Sequence, residues 1–160
     1  MTDIDQIDFE IIRALRNNAR ITNKELAEKV DLAPSSCLER VRYLRARKYI
    51  RGAHTEVDLA AIGIGLQAMV AIRLAQHSRA GLDAFQKHVL GLKEVIQVYH
   101  LSGANDYMVH IGVKDAQTLR NFVLDSFAER PDVVHIETAV IYEEVKNWQL
   151  GDFHGDNDSA

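Results

Sequence analysis

The sequence predicts an α+β protein, with an N-terminal winged helix-turn-helix domain followed by a ferredoxin-like βαββαβ domain. Three observations predict it: a capped pair of short amphipathic helices in residues 22–52, a reversal of charge between the two parts of the chain, and an alternation of strand and helix periodicities from Leu66 onward. The chain has 160 residues, 47% of them hydrophobic, enough for two small domains with their own cores. The expected division is 1–53 for the first domain, 54–65 for a linker, 66–148 for the second domain and 149–160 for a tail.

The first helix is expected to begin near Asp3, where Ile4, Ile7, Ile11 and Leu15 recur at the spacing that covers one helix face. Asn17, Asn18 and Ala19 break that pattern, and Ile21 is placed as a hydrophobic staple before the next helix. Thr22 and Glu25 form a capping box, and Leu26, Ala27 and Val30 give the second helix an apolar stripe. The small Ala27 lets another helix cross closely. Asp31, Leu32 and Ala33 make a turn, and Pro34 restarts a helix at its first position, where a missing N–H costs nothing.

At 100° per residue this third helix gathers Cys37, Leu38, Val41 and Leu44 on one side, with Ser35, Ser36, Glu39, Arg42 and Tyr43 on the other and Arg40 and Arg47 on a flank. From Glu39 to Arg51 six basic residues, Arg40, Arg42, Arg45, Arg47, Lys48 and Arg51, face one acid, Glu39. A charge run alone is more often a solvated face, but this one sits on the second helix of a capped pair. That combination points to double-stranded DNA. Ser35, Ser36, Glu39 and Arg40 are candidates for base edges, Tyr43 shares their face, and Arg42, Arg45, Arg47 and Arg51 are candidates for phosphates.

After Gly52, Thr55 and Val57 alternate with His54, Glu56 and Asp58 as in a short strand, which is the expected wing. Asp58 to Gly65 can hold one helical turn, its glycines marking the domain boundary. The pattern beyond predicts a strand over 66–75, a helix over 79–90 lined by Leu82, Phe85 and Val89, and strands over 94–101 and 106–113. A helix lined by Leu119, Phe122, Val123 and Phe127 follows, and a last strand carries Val134, Ile136, Thr138, Val140 and Tyr142. The order β-α-β-β-α-β places both helices on one sheet face and leaves the other bare. A bare apolar sheet face is commonly covered by a symmetric copy, so at least a dimer is expected. Tyr107 and Tyr142 are expected to pack, and Trp148 to cover an apolar edge; the Gly- and Asp-rich 149–160 has the composition of a disordered tail.

Residues 1–53 carry 11 Lys and Arg against 8 Asp and Glu, a net of +3, whereas 54–160 carry 8 against 15, a net of −7. The overall −4 therefore conceals a basic segment suited to phosphates. No apolar run approaches the roughly 20 residues that span a bilayer, and the start of the chain is acidic where a signal peptide is basic and then apolar. A cytoplasmic location without membrane attachment is expected. Cys37 is the single cysteine and sits on the inner helix face, which suits a buried thiol. No nucleophile motif or glycine-rich phosphate loop occurs, so neither an enzyme nor a cofactor is expected. His100, His110 and His135 lie on strands that could share a sheet face, but without metal-ligand spacing; polar groups at a dimer face are the expectation, not a metal.

With these elements in place, the chain resembles the Lrp/AsnC (leucine-responsive, asparagine-responsive or feast/famine) transcription regulators from about Ile4 to Lys146. The stretches IDQIDFEIIRAL, ARITNKELAEKVDLAPSSCLERVRYLRARKYIRG, HLSGANDYMV and VIYEEVK carry the resemblance. It implies DNA binding by the N-terminal domain, dimers formed through the C-terminal sheets, and octamers or similar rings of dimers. It also implies an effector, usually an amino acid, held between dimers. By position, that site would comprise Tyr99, Leu101, Ser102, Gly103, Ala104, Asn105 and Asp106, with Thr138 and Val140. Two positions depart from the family pattern. Ala104 stands where an acidic residue commonly follows the glycine, leaving Asp106 as the loop's only carboxylate; losing a charged acceptor for an ammonium costs about 1.5–3 kcal/mol. Ala33 stands where a capping Ser is usual, at about 1 kcal/mol of helix stability.

Two other readings stay open from the sequence. One is an architectural DNA-binding protein with little effector control, and the other a small-molecule enzyme built on the second domain.

Overall fold

The computed structural model describes residues 4–147. Trp148 and the 149–160 tail, for which an apolar cover and disorder were the expectations, lie outside the described residues. The chain divides into two compact units, one built on 1–55 together with 145–160 and the other on 56–144.

The first unit holds three helices, α1 (Gln6–Asn17), α2 (Asn23–Lys29) and α3 (Pro34–Ala46). Asp5, rather than Asp3, caps α1, accepting from the Asp8 N–H while Asp8 reaches back. The Thr22–Glu25 capping box starts α2, and its exposed Glu25 carboxyl titrates below its usual range because the Thr22 backbone N–H donates to it. Ile11, Leu26, Ala27, Val30, Cys37, Val41 and Leu44 form the core, with Ile4, Ile7, Leu15, Ile21 and Ile50 packed around it. Burial raises the Cys37 thiol pKa, as suits a packing residue. Leu38 departs from the expected face and is 37% exposed. The 100° wheel places it at the border of the stripe, one step of 100° from the buried Cys37.

No strand forms over residues 51–58, so the expected wing strand at Thr55 and Val57 is absent. Alternation alone does not make a strand; it needs a ladder partner to take its backbone groups. The turn predicted over 58–65 does form, with Gly63 N–H donating to Ala60 O and Ile64 N–H to Leu59 O.

The second unit is a four-stranded antiparallel sheet of β1 (Leu66–Leu74), β2 (Val95–His100), β3 (Tyr107–Val113) and β4 (Val133–Val140), in the order β2-β3-β1-β4. Helices α4 (Arg79–Leu90) and α5 (Ala116–Val123), the latter running into a π turn at Leu124–Ala128, pack on it. Val70, Ile72, Tyr107, Val109 and Ile111 meet Phe85, Val89, Leu119, Phe122 and Phe127 in one core. Tyr107 packs on Phe85 at 4.9 Å between ring centroids, and its hydroxyl donates to Leu82 O.

Strand parity assigns the other face. Met69 pairs with His110 and with Ala139, Ala71 with Met108 and Glu137, and Tyr99 with Met108, so these side chains share the face opposite the helices. His110 and His135 belong to it. His100 does not: it pairs with Tyr107 and stacks on that ring at 4.9 Å, on the helix side. Among the described residues no group of three or more His, Cys, Asp or Glu could hold a metal ion. Tyr142, expected to pack, is 100% exposed, because β4 ends two residues earlier at Val140. Among the described residues no helix is long and apolar enough to cross a membrane.

Candidate functional site

The geometry of the DNA-binding part begins with how α3 is held. Asn23 Nδ2 donates to Pro34 O at 2.8 Å, and Leu32 N–H donates to Ala27 O at 2.9 Å, which closes the turn between α2 and α3. Asp31 takes a left-handed φ of 52° in that turn, a conformation Asp and Asn accept more readily than most residues. Ala33 caps α3 without any side-chain hydrogen bond, as its methyl group dictates. Cys37, Val41 and Leu44 are buried, while Ser35, Ser36, Glu39, Arg42, Tyr43, Arg45, Arg47 and Arg51 all stand exposed. The Arg47 guanidinium lies 5.6 Å from the Tyr43 ring centroid, a cation–π contact that limits where this arginine can point.

Arg40 requires a correction. Its Nη1 donates to Asp5 Oδ2 at 2.7 Å and to Asp8 Oδ1 at 2.9 Å, so the side chain expected to read bases ties α3 to the start of α1. Asp8 is 5% exposed. A carboxylate at that depth needs a partner, and Arg40 is it. These bonds, Asp8's first, raise the Arg40 pKa further, and the Asp8 backbone N–H, with help from Arg40, holds Asp5 below the usual carboxylate range. The brace had a signal in the sequence: Asp8 lies four residues after Ile4 and three before Ile11, inside the apolar stripe of α1.

In the second unit the loop expected to hold an effector connects β2 to β3. Tyr99 and Leu101 are about two-fifths exposed, Ser102, Gly103 and Ala104 are exposed, and Asn105 is half-buried. Gly103 has φ 128°, which a side chain would strain. Asp106 is 8% exposed and takes a different role from the one expected of the loop's carboxylate. Its Oδ2 accepts the Leu74 N–H at 2.7 Å and its Oδ1 lies 2.8 Å from His77 Nε2, while Leu101 N–H donates to its carbonyl. Both carboxylate oxygens are thus engaged in holding the ends of β1 and β3 together. His77 was not singled out from the sequence, since 29 residues separate it from Asp106 and only the fold brings them together.

Thr138 and Val140 are not brought to this loop within one chain. They lie on β4, at the opposite edge of the sheet from β2, about 14 Å away at the usual strand spacing. They also pair with Val70 and Ala68, on the helix side, whereas Tyr99 faces the other way. A site using both sets of residues draws them from different copies.

A braced helix pair presenting one uncovered, arginine-rich helix, on a chain that continues into a βαββαβ domain, defines a DNA-binding transcription regulator with a separate ligand-binding domain. Residues 4–51 match the family model of winged helix-turn-helix DNA-binding domains, and residues 67–149 match that of the Lrp/AsnC ligand binding domain. The chain belongs to the Lrp/AsnC family of transcription regulators. It is 40% identical over 144 residues to the HTH-type transcriptional regulator AldR of Mycolicibacterium smegmatis, covering 90% of this chain and 84% of that protein. It is 33% identical over 138 residues to the transcriptional regulator AzlB of Bacillus subtilis, covering 86% and 88%. Among solved structures, a transcriptional regulator from Neisseria meningitidis in complex with L-Met superposes with a TM-score of 0.82 at 28% identity, covering 90% of this chain and 93% of that one. The crystal structure of AldR from Mycobacterium tuberculosis superposes at 0.70 with 33% identity, covering 89% and 97%.

Proposed function

We propose that this regulator acts as a dimer, or as a ring of dimers such as an octamer, whose paired α3 helices enter successive major grooves about 34 Å apart. The observation that carries the reading is the outer face of α3, where Ser35, Ser36, Glu39 and Tyr43 are exposed over a buried Cys37–Val41–Leu44 stripe. Ser35, Ser36 and Glu39 address base edges, and Arg42, Arg45, Arg47 and Arg51 hold phosphates. Arg40 acts through position, fixing α3 on α1. Dimerisation uses the sheet face of Met69, Ala71, Tyr99, Met108 and His110, which strand parity sets opposite the helices of the same domain.

The effector is a small molecule, an amino acid or a relative of one. The L-Met held by the Neisseria meningitidis neighbour supports that chemistry. Its site takes the 101–105 loop from one copy and the Thr138–Val140 edge from another, since one chain keeps them apart. Backbone groups around Gly103 supply donors and acceptors for an ammonium and a carboxylate. Binding there changes how dimers assemble and so which operators the DNA-binding units span.

A second reading, an architectural DNA-binding protein with little effector control, has one observation in its favour. Ala104 offers no charge, and both oxygens of Asp106 are already engaged. Fluorescence anisotropy of the full chain on duplex from its own upstream region and on a scrambled duplex, with and without pooled amino acids, separates the readings. Specific binding altered by the pool is expected; specific binding indifferent to it selects the architectural reading, and absence of binding to either duplex overturns both.

A further inference from the structure

Helix α3 ends in a tight cap whose central residue is out of character. Lys48 N–H donates to Arg45 O at 3.0 Å and Tyr49 N–H to Leu44 O at 2.9 Å, the pair of bonds that closes a helix when the residue after its cap turns left-handed. That residue is Lys48, with φ 62°. Ile50 N–H also returns to Leu44 O, and Ile50 packs on the core of this unit, so the conformation is held by the chain on both sides of it.

Glycine is the usual occupant of such a position, because a Cβ there crowds the backbone. Among the described residues positive φ occurs at four places, of which two are glycines, Gly63 and Gly103, and one is Asp31, a residue type that tolerates it. Lys48 alone has no such latitude. Strain that the surrounding fold enforces clusters where a side chain is used. The Lys48 side chain is exposed, and among the described residues no carboxylate pairs with it. It stands in the basic run between Arg47 and Arg51, both assigned above to phosphates. Because its φ has reversed sign, its Cα–Cβ bond leaves the helical array that directs the side chains of the preceding turn.

We propose that Lys48 is a further DNA contact, its ammonium set on a phosphate by the left-handed cap that ends α3. The lysine is kept there, at a cost in stability that a glycine would avoid, for the charge it brings to the duplex. The assignment rests on the reading of α3 as the DNA-binding helix.

Lys48→Gly sets stability against binding. Relief of the left-handed strain should slow hydrogen exchange in α3 peptides of the full chain about fivefold. Anisotropy on the upstream and scrambled duplexes should show the opposite sign: binding weaker by about fivefold per contacting copy at about 0.15 M salt, and a slope of log affinity against log salt smaller by about 0.9 per copy. Lys48→Gln keeps the strain and drops the charge, so it should lose the same binding without the slower exchange, and Lys48→Arg should keep both affinity and slope. An unchanged slope in the Gly and Gln variants overturns the proposal and leaves Lys48 a solvated surface residue. Weakening by Lys48→Gly that Lys48→Gln does not share belongs to the backbone and overturns it as well. Exchange that does not slow in Lys48→Gly overturns the part given to the cap. A loss confined to the upstream duplex overturns the phosphate contact in favour of base reading. An unsubstituted chain that binds neither duplex fails the DNA reading and the proposal with it, whereas an Arg42→Gln variant that lowers the slope when Lys48→Gln does not fails the proposal alone.

Discussion

Replacing Arg40 by Met separates two roles that the sequence alone merges. Arg40→Met keeps most of the aliphatic stem and removes the guanidinium. That leaves Asp8, whose side chain is 7% exposed, without its 2.9 Å partner, and Asp5, 53% exposed, without its 2.7 Å partner. Breaking a fully buried pair costs about 3–5 kcal/mol, and an exposed one up to about 1 kcal/mol. Arg40 is itself a third exposed, so the buried limit is discounted, and about 2 kcal/mol is expected. That amount raises the open fraction of the first unit about thirtyfold. Hydrogen exchange by mass spectrometry would show it as a matching acceleration in peptides from α1 and α3, with peptides from β1 and β3 as the unchanged control. Asp8→Asn added to Arg40→Met should recover part of the loss, because the orphaned charge is gone. Unchanged exchange, together with relaxed preference at one operator base pair, would refute the brace and return Arg40 to base reading.

Asp106→Ala removes a buried acceptor of the Leu74 N–H and the partner of His77, at about 1–3 kcal/mol, which should lower the thermal midpoint of the second unit by at least about 4 °C. An unchanged midpoint combined with a lost amino-acid response would instead make Asp106 an effector ligand. Met108→Asp places a charge on the uncovered sheet face and should convert the assembly to monomers by light scattering while far-ultraviolet circular dichroism is kept; an unchanged mass refutes that face as the interface. Acid should weaken both units. Asp132, held down chiefly by its hydrogen bonds from Arg130 and also by its charge, and Asp5 both titrate below their unfolded value near 3.8. Their contribution is therefore complete above that value and lost as pH falls through the lower folded ones. Urea midpoints should fall below about pH 4, and Arg130→Gln should flatten the fall for the second unit.

The Thr22–Glu25 cap of α2, the register of α4 and the inward set of Val70, Val109, Phe85 and Phe127 follow from periodicity and capping chemistry, which are local. So does the exposed arginine face of α3, because a 3.6-residue repeat fixes which side chains oppose Cys37, Val41 and Leu44. What an exposed or buried charge does was not legible, since that depends on groups remote in sequence. Arg40 meets Asp5 across 35 residues, and Asp106 meets His77 across 29. The strand expected at Thr55 and Val57 did not form for a related reason: the two alternate as a strand does, but a ladder needs a partner that composition cannot supply.

The sequence by itself determined the two-part architecture, the helix carrying the exposed basic face and the family, because helix period, strand parity and capping are written within a few residues of each other. Only the tertiary structure decided where the loop after Tyr99 and the Thr138–Val140 edge stand: β2 and β4 lie at opposite edges of the sheet, so the two do not meet within one chain. Strand order is set by which apolar faces pack together in three dimensions, and no local spacing encodes it.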